Sequence, residues 1–339
     1  MSTDTGNART EVTVATAADY LRARGIIRGA ATATPLAGGI SNIVVSVDAV
    51  EGAFVVKQAL PVLRVAQRWE FDPARIFTER RCMQVLGEIL PAGSVPLVVD
   101  HDDASFAFTM TSAPSGGVTW KSELLGGVVR LAVAATAGEL LGSLQFATAG
   151  SDMLAAEFAD TMPLEQGRIE PYHLTSAAVH PQAGVALERD VRRLRTDRRV
   201  LVLGDYSPKN MLVYPDGEVV LLDFEVAHWG DPAFDPAFLI THLILKAVHR
   251  PVDADDYLQA RRAFWDAYLI SGGLAAESDV AHEVTALLLA RVDGKSPVDY
   301  LDHDASQFVR RESLRLLADG APSLADIDEI TTRRQEQNS

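Results

Sequence analysis

The residues best suited to chemistry in this chain are two aspartates and an asparagine that follow short apolar runs. Asp205 comes after the run 200–203, Asn210 stands in an Asp-x4-Asn spacing with it, and Asp223 ends a second apolar run. This set suits phosphoryl transfer. One carboxylate accepts the proton of the attacking hydroxyl, while an amide oxygen and a second carboxylate hold the magnesium that bridges the phosphates. We therefore predict Asp205 as catalytic base and Asn210 and Asp223 as magnesium ligands.

Turn formation is the alternative explanation for these residues. Asp and Asn commonly close loops between strands, and that tendency accounts for each residue alone. It accounts poorly for an Asp-x4-Asn segment followed by a second strand that ends in Asp223-Phe224. The catalytic interpretation is therefore favoured.

A lysine and a glutamate lie in apolar surroundings further upstream. Lys57 lies within the predicted strand 53–59, and Glu79 lies on the apolar face of the helix predicted over 73–90. An unpaired charge is costly in either place, so we predict that the two form an ion pair. The lysine should also have nucleotide phosphates as partners. A solvent-exposed helix face is the alternative for Glu79.

The segment 203–225 resembles the catalytic loop of the aminoglycoside phosphotransferase and choline kinase superfamily, whose fold is that of the protein kinases. The family's loop is usually His-Gly-Asp-x4-Asn, followed by Asp-Phe/Trp-Glu/Asp, and Leu203 stands here at the histidine position. The resemblance extends over residues 35–315. It implies an ATP- and magnesium-dependent kinase that phosphorylates a hydroxyl of a small molecule.

The same resemblance indicates the nucleotide-binding residues. The segment 38–42, Gly-Gly-Ile-Ser-Asn, is similar to the family's nucleotide-binding loop, in which backbone N–H groups approach the phosphates. The segment 106–113 lies where the family's hinge offers backbone groups to adenine. The predicted nucleotide-binding residues are Gly39, Ser41, Asn42, Lys57, Glu79, Met110, Thr111 and Ala113.

A narrower resemblance concerns the acceptor. The Lys-Gln-Ala-Leu-Pro string that starts at Lys57, followed by Trp69, is similar to the 5-methylthioribose kinases, in which an Arg-Arg pair in a late helix contacts the sugar. The catalytic loop departs from those enzymes. Guanidinium groups donate to hydroxyls and repel ammonium groups, so the resemblance implies a neutral or anionic polyol such as a pentose or thiopentose. The predicted acceptor-binding residues are Arg310, Arg311, Trp229 and Glu225.

Two other functions stay open. An antibiotic-inactivating phosphotransferase, acting on aminoglycosides, would have an acidic acceptor cleft, whereas a sugar kinase would have an arginine-lined one. A pseudokinase that binds nucleotide without turnover is disfavoured, because the full set of catalytic and phosphate-binding residues is present.

Two further segments are interpreted as structural rather than catalytic. Asp231 and Asp235 are expected to anchor the loop after the second metal ligand rather than to bind metal. The mixed-charge segment 290–297 is interpreted as a surface loop, with contact to the acceptor as the alternative.

The elements that position these residues are predicted to form two lobes. Up to residue 112 the pattern gives strands and one main helix, and beyond it long apolar helices flank two short strands. The predicted fold class is α+β, with a bilobal protein-kinase-like arrangement. A disordered tail covers residues 1–14, a nucleotide-binding N-lobe 15–112, and a mostly helical C-lobe with the acceptor site 113–335.

Composition narrows the class of protein further. A net charge of −15 argues against nucleic-acid binding, which needs a basic surface. No apolar run approaches the roughly 18 residues of a membrane span, and the single cysteine excludes an intramolecular disulfide. We therefore predict a cytoplasmic enzyme with a small-molecule acceptor and with no nucleic-acid or membrane partner.

Overall fold

The computed structural model describes residues 11–36, 42–60, 72–320 and 322–338. The chain divides into two compact units, Met1–Ser115 and Gly116–Ser339. Most of the predicted tail, and the predicted nucleotide-binding residues Gly39 and Ser41, lie outside the described residues, as does Trp69.

The N-terminal unit contains one antiparallel sheet with the strand order β1-β2-β3-β5-β4. Its strands are β1 (Ala31–Pro35), β2 (Asn42–Ala49), β3 (Gly52–Ala59), β4 (Val98–Asp102) and β5 (Ala107–Thr111). Its helices are α1 (Ala17–Ala23) and α2 (Arg75–Ile89).

Side chains of β3 alternate between the two faces of the sheet, as the pleat requires. Phe54 and Val56 pack into a core with Leu21 of α1, whereas Lys57 points to the face where it meets Glu79 of α2. The strand is thus apolar on the α1 side and supplies one charged group to the other side.

The C-terminal unit contains two small sheets among helices. A three-stranded sheet has the order β6-β8-β9, and β7 pairs antiparallel with β10. The strands are β6 (Val118–Thr119), β7 (Val200–Val202), β8 (Met211–Val213), β9 (Val219–Leu221) and β10 (His228–Gly230). The helices are α3 (Trp120–Leu125), α4 (Leu131–Thr148), α5 (Asp152–Glu157), α6 (Met162–Leu164), α7 (Thr175–Val179), α8 (Gly184–Thr196), α9 (Phe234–His249), α10 (Ala254–Ile270), α11 (Glu277–Asp293), α12 (His303–Asp319) and α13 (Leu324–Asn338).

A π-helical stretch joins α6 to α7. It covers Glu165–Leu174 and contains Pro171, so residues 162–179 are helical almost throughout. Widened helical turns of this kind are rare and occur often at functional sites.

Helix α9 is the centre of the C-terminal unit. Every residue from Phe234 to Val248 is buried, as expected for a helix that is apolar on all sides. Lys246 is unexpected in this helix, because it is a cation and only 1% of its surface is exposed.

Helices α4 and α10 pack at short range because α4 carries glycine where they cross. A Cβ atom at Gly138 would lie 2.2 Å from the carbonyl oxygen of Phe264, and one at Gly142 would lie 2.4 Å from that of Tyr268. Any larger residue at these positions would force the helices apart.

The architecture agrees with the predicted α+β class, a small sheet unit followed by a larger helical one. Gly127 adopts a positive φ of 81° and separates α3 from α4. Within the described part of the chain, no helix is both long and apolar enough to cross a membrane.

Candidate active site

The loop that follows β7 carries Asp205 and is fixed at its entrance by α9. The carboxylate of Asp235, in the first turn of α9, accepts hydrogen bonds from the backbone N–H of Leu203 at 2.7 Å and of Gly204 at 2.9 Å. Gly204 has a φ of +75°, and a Cβ atom there would lie 2.7 Å from the carbonyl oxygen of Val226. Both the backbone geometry and the space therefore require glycine before Asp205.

The carboxylate of Asp205 lies between two cations. Arg168 Nη2 is 3.2 Å from its Oδ2, Lys209 Nζ is 2.9 Å from the same oxygen, and the Ser207 hydroxyl donates to Oδ1 at 3.2 Å. Burial alone would raise the pKa of Asp205, but Lys209 and Arg168 outweigh it and lower the pKa below its ordinary value. The group is therefore ionised throughout the pH range in which enzymes work.

Arg168 is a site residue that sequence reasoning missed. It lies on the π-helical stretch, where its Nε donates to the carbonyl oxygen of Gly204 at 2.6 Å. Its guanidinium also lies over the rings of Tyr172 and Phe238, at 5.6 and 5.3 Å from their centroids. No periodic pattern marks a π-helical segment in the sequence, so this arginine could not be assigned to a face.

Asn210 and Asp223 lie close to Asp205 because their loops are bonded to each other. The Asn210 side-chain NH₂ donates to the backbone carbonyl of Asp205 at 3.1 Å, and the N–H of Leu222 donates to the carbonyl of Asn210 at 2.9 Å. Asp205, Asn210 and Asp223 line one small cavity. The structure thus brings together the three residues that the Asp-x4-Asn spacing predicted.

The donor set of this cavity fits a magnesium ion. Because the Asn210 nitrogen is used by the loop, its amide oxygen is the end left for a ligand, and Asp223 adds a carboxylate. Such oxygen donors are those that magnesium prefers. Asp223 also has a φ of +65°, a strained conformation for a residue with a side chain that is typical of functional positions.

In the N-terminal unit, Lys57 and Glu79 form the predicted ion pair. Lys57 Nζ is 2.6 Å from Glu79 Oε1, and their side chains are 8% and 1% exposed. Asn42, at the start of β2, accepts a hydrogen bond from Arg75 at 3.4 Å through its side-chain oxygen. The nucleotide-binding role of all three predicted residues stays a prediction.

The predicted hinge residues differ in what they can offer to a base. The N–H of Thr111 donates to the Leu97 carbonyl at 2.8 Å, and its hydroxyl accepts from the N–H of Leu97 at 2.9 Å. Thr111 therefore has its backbone donor occupied inside the sheet, which removes it as an N–H donor to adenine. Met110 lies beside it on β5 and Ala113 follows the strand, and their roles stay predictions.

Three of the predicted acceptor residues, Arg310, Arg311 and Trp229, have their own partners away from Asp205. Arg310, on α12, donates to the carboxylate of Asp293 at 2.6 Å. Arg311 pairs with the neighbouring Glu312 at 3.4 Å. The indole of Trp229, 6% exposed on β10, donates to the Arg198 carbonyl at 3.1 Å, which is a structural role.

Glu225 is the fourth predicted acceptor residue. It lies in the loop after β9 and is partly buried. Burial lowers the pKa of Arg168, and the negative charge of Glu225 is one of the effects that together raise it above its ordinary value. The guanidinium beside Asp205 thus belongs to Arg168 and to neither predicted arginine.

The chain as a whole has counterparts among known proteins. Residues 32–278 match the model of the phosphotransferase enzyme family that includes the aminoglycoside phosphotransferases. The chain belongs to this family. Comparison with curated protein sequences gives no match.

Solved structures of phosphotransferases share the fold of this family member. The amicoumacin kinase hAmiN is 15% identical, with 90% of this chain and 94% of that one covered and a TM-score of 0.54. The aminoglycoside phosphotransferase APH(4)-Ia is 17% identical, with 91% of this chain and 100% of that one covered and a TM-score of 0.51. The macrolide 2'-phosphotransferase MphH from Brachybacterium faecium is 15% identical over 93% and 96%, with a TM-score of 0.50.

These comparisons confirm the predicted superfamily, the α+β kinase-like fold class and the assignment as a phosphotransferase. They do not show the narrower resemblance to 5-methylthioribose kinases, on which the predicted roles of Arg310 and Arg311 rested.

Replacing Asp235 with Asn tests how the phosphotransferase holds its catalytic loop. We expect a loss of about 1–3 kcal/mol of stability, because one of two buried backbone N–H groups loses its acceptor, and a lower kcat. Urea unfolding and steady-state turnover measure the two effects. Asp266→Asn, an exposed aspartate of α10, is the matched control, and equal behaviour of the two variants would show that Asp235 is dispensable.

Proposed function

We propose that this phosphotransferase is an ATP- and magnesium-dependent kinase that phosphorylates a hydroxyl of a small molecule. The observation that carries the proposal is the buried carboxylate of Asp205, held ionised between Arg168 and Lys209 and lining one cavity with Asn210 and Asp223. A carboxylate in this position can accept a hydrogen bond from an alcohol.

Asp205 is proposed to orient the acceptor hydroxyl. A carboxylate with a lowered pKa is a weak base towards a free alcohol. In a loose phosphoryl-transfer transition state, however, the hydroxyl loses its proton late, when the new O–P bond is forming. Asp205 then receives the proton, while Arg168 and Lys209 compensate its charge before that moment.

Asn210 and Asp223 are proposed to hold the magnesium ion, which would neutralise charge on the nucleotide phosphates. Lys57, fixed by Glu79, is proposed to bind those phosphates as well. The structure of the amicoumacin kinase contains AMP-PNP, an analogue of ATP. This supports ATP as the phosphoryl donor of the present chain.

The metal assignment can be tested by calorimetric titration with AMP-PNP. Without magnesium, wild type and Asp223→Ala should bind the nucleotide about equally. With magnesium, only the wild type should gain affinity, because the variant lacks one ligand of the ion. Glu218→Ala, an exposed carboxylate before β9, should behave as wild type. Equal magnesium dependence in wild type and Asp223→Ala would remove Asp223 from the site.

For the acceptor we propose a sugar or sugar-like molecule, with an antibiotic as the alternative. A coupled ADP-release assay with sugars, nucleosides and aminoglycosides separates the two. Turnover of aminoglycosides with no activity on any sugar would establish the alternative, and magnesium-dependent nucleotide binding with no turnover would indicate a pseudokinase.

A further inference from the structure

A cavity of about 230 Å³ in the C-terminal unit is lined by an unusual number of cations. Four of its lining side chains are basic and one is acidic, although the whole chain has a net charge of −15. We call it the basic cavity, and its charged lining residues are Lys121, Lys209, Lys246, Arg291 and Asp299.

Lys246 is the least expected of these cations. It lies on the buried helix α9, is 1% exposed, and its Nζ donates to the His242 carbonyl at 3.2 Å. Burial, followed by repulsion from Lys121 and Arg291, lowers the pKa of Lys246 to about 7. The carboxylate that opposes this effect is Asp299, whose side chain is 82% exposed and lies 3.6 Å from Lys121. No buried carboxylate pairs with Lys246 among the described residues, which is costly for a cation.

Other lining groups also offer donors without acceptors. Arg291 Nε and the Tyr300 hydroxyl are buried and have no hydrogen-bond partner within the described structure. The Tyr300 ring lies beneath Lys246 Nζ, at 5.3 Å from its centroid. His242 adds no positive charge, since burial keeps its pKa well below the ordinary value and the ring neutral. Positive charge together with unused donors is the environment that binds an anion.

Lys209 connects the basic cavity to the reaction centre. It lines the cavity, and its Nζ lies 2.9 Å from Oδ2 of Asp205. The cavity and the carboxylate assigned to the acceptor hydroxyl therefore share one lysine side chain.

We propose that the acceptor carries an anionic group, a phosphate or a carboxylate, that binds in the basic cavity and directs a hydroxyl towards Asp205. The inference rests on the proposed kinase function and narrows its acceptor class. Lys246 and Arg291 supply the charge and the donors for the anion. The same groups repel ammonium, so a polycationic aminoglycoside is a poor fit. The segment 290–297, interpreted from sequence as a surface loop, contributes Arg291 and Pro297 to the lining.

The first test measures anion binding by calorimetry with sulfate, an ion that does not titrate near neutral pH. Wild type should bind sulfate, and Lys246→Met and Arg291→Met should each weaken binding by about tenfold or more. Lys295→Met is the matched control, because this exposed lysine pairs with Glu170 at 2.6 Å and does not line the cavity. Sulfate binding by the wild type should persist when the protein is saturated with AMP-PNP, which excludes the nucleotide site as the source of the signal.

Absent sulfate binding, or binding that Lys246→Met and Arg291→Met leave unchanged, would overturn the anion site. Lys246→Met removes a buried charge while keeping an unbranched side chain, so it should fold. Arg291→Met provides a second, independent variant on another helix.

The second test uses hydroxylated acceptors with one carbon skeleton: glucose, glucosamine, gluconate and glucose 6-phosphate. Gluconate or glucose 6-phosphate should be phosphorylated in preference to the other two, and which of them is used identifies the anion as carboxylate or phosphate. In Lys246→Met the KM for the anionic acceptor should rise about tenfold or more while the KM for ATP stays constant.

The two levels of the proposal fail differently. Equal or better turnover of glucose or glucosamine would overturn the anionic acceptor and leave the kinase intact. Sulfate binding that depends on Lys246, without phosphoryl transfer to any acceptor and without magnesium-dependent nucleotide binding, would overturn the kinase and leave the anion site.

Discussion

Asp205→Asn is expected to lower turnover by about 10²-fold or more, the usual scale for loss of a general base, while the protein keeps its fold and its nucleotide affinity. Asparagine has the same shape and still accepts a hydrogen bond from Ser207. It lacks the negative charge that Arg168 and Lys209 now compensate, and it cannot take the proton of the acceptor hydroxyl. The loss should therefore appear in kcat rather than in the KM for ATP.

Steady-state ADP release and calorimetric titration with AMP-PNP together measure this effect. Asp216→Asn, which changes an exposed aspartate in the turn between β8 and β9, is the matched control and should retain full activity. Near-normal turnover in Asp205→Asn would end the assignment of Asp205.

Breaking the Lys57–Glu79 pair is expected to have the largest effect on stability. Lys57→Met and Glu79→Gln should each cost about 3–5 kcal/mol, because either change leaves a charge without its partner in a buried place. The double variant should lose much less than the sum, since neither member of the pair is then buried without the other. Urea unfolding of the four proteins gives the coupling free energy.

An exposed ion pair in the same unit provides the control. Arg22 and Asp19 are 2.5 Å apart with side chains 36% and 81% exposed, and such pairs contribute about 0–1 kcal/mol. Losses at Lys57 and Glu79 that add within about 0.3–0.5 kcal/mol would mean that the two residues act independently.

Local sequence signals were sufficient to predict that Asp205, Asn210 and Asp223 lie together and that Lys57 pairs with Glu79. The Asp-x4-Asn spacing and the strand that ends at Asp223 depend on neighbours in the chain, and a charge inside an apolar run predicts a partner wherever that partner lies. Helix α2 was found for the same reason, since its apolar positions recur with the helical period.

The basic cavity could not be predicted from local sequence signals. The basic cavity brings together Lys121, Lys209, Lys246 and Arg291 from four separate segments, and nothing in the sequence around any one of them indicates the other three. Arg310 and Arg311 were predicted from the resemblance to the 5-methylthioribose kinases, yet the structure gives them acidic partners on α11 and α12. The available sequence signal was Lys246, a lysine between apolar residues of a largely apolar helix.

Helix α9 carries Asp235 in its first turn and Lys246 near its last, and these positions are about 16 Å apart along the axis at 1.5 Å per residue. One end fixes the loop that presents Asp205, and the other fixes the cation in the basic cavity. Residues Phe234–Val248 are all buried, so packing on every side fixes both positions. With an acceptor bound as proposed, α9 would set the span between the hydroxyl at Asp205 and the anionic group in the basic cavity. We therefore expect acceptors of other lengths to be poor substrates even when they carry the right charge.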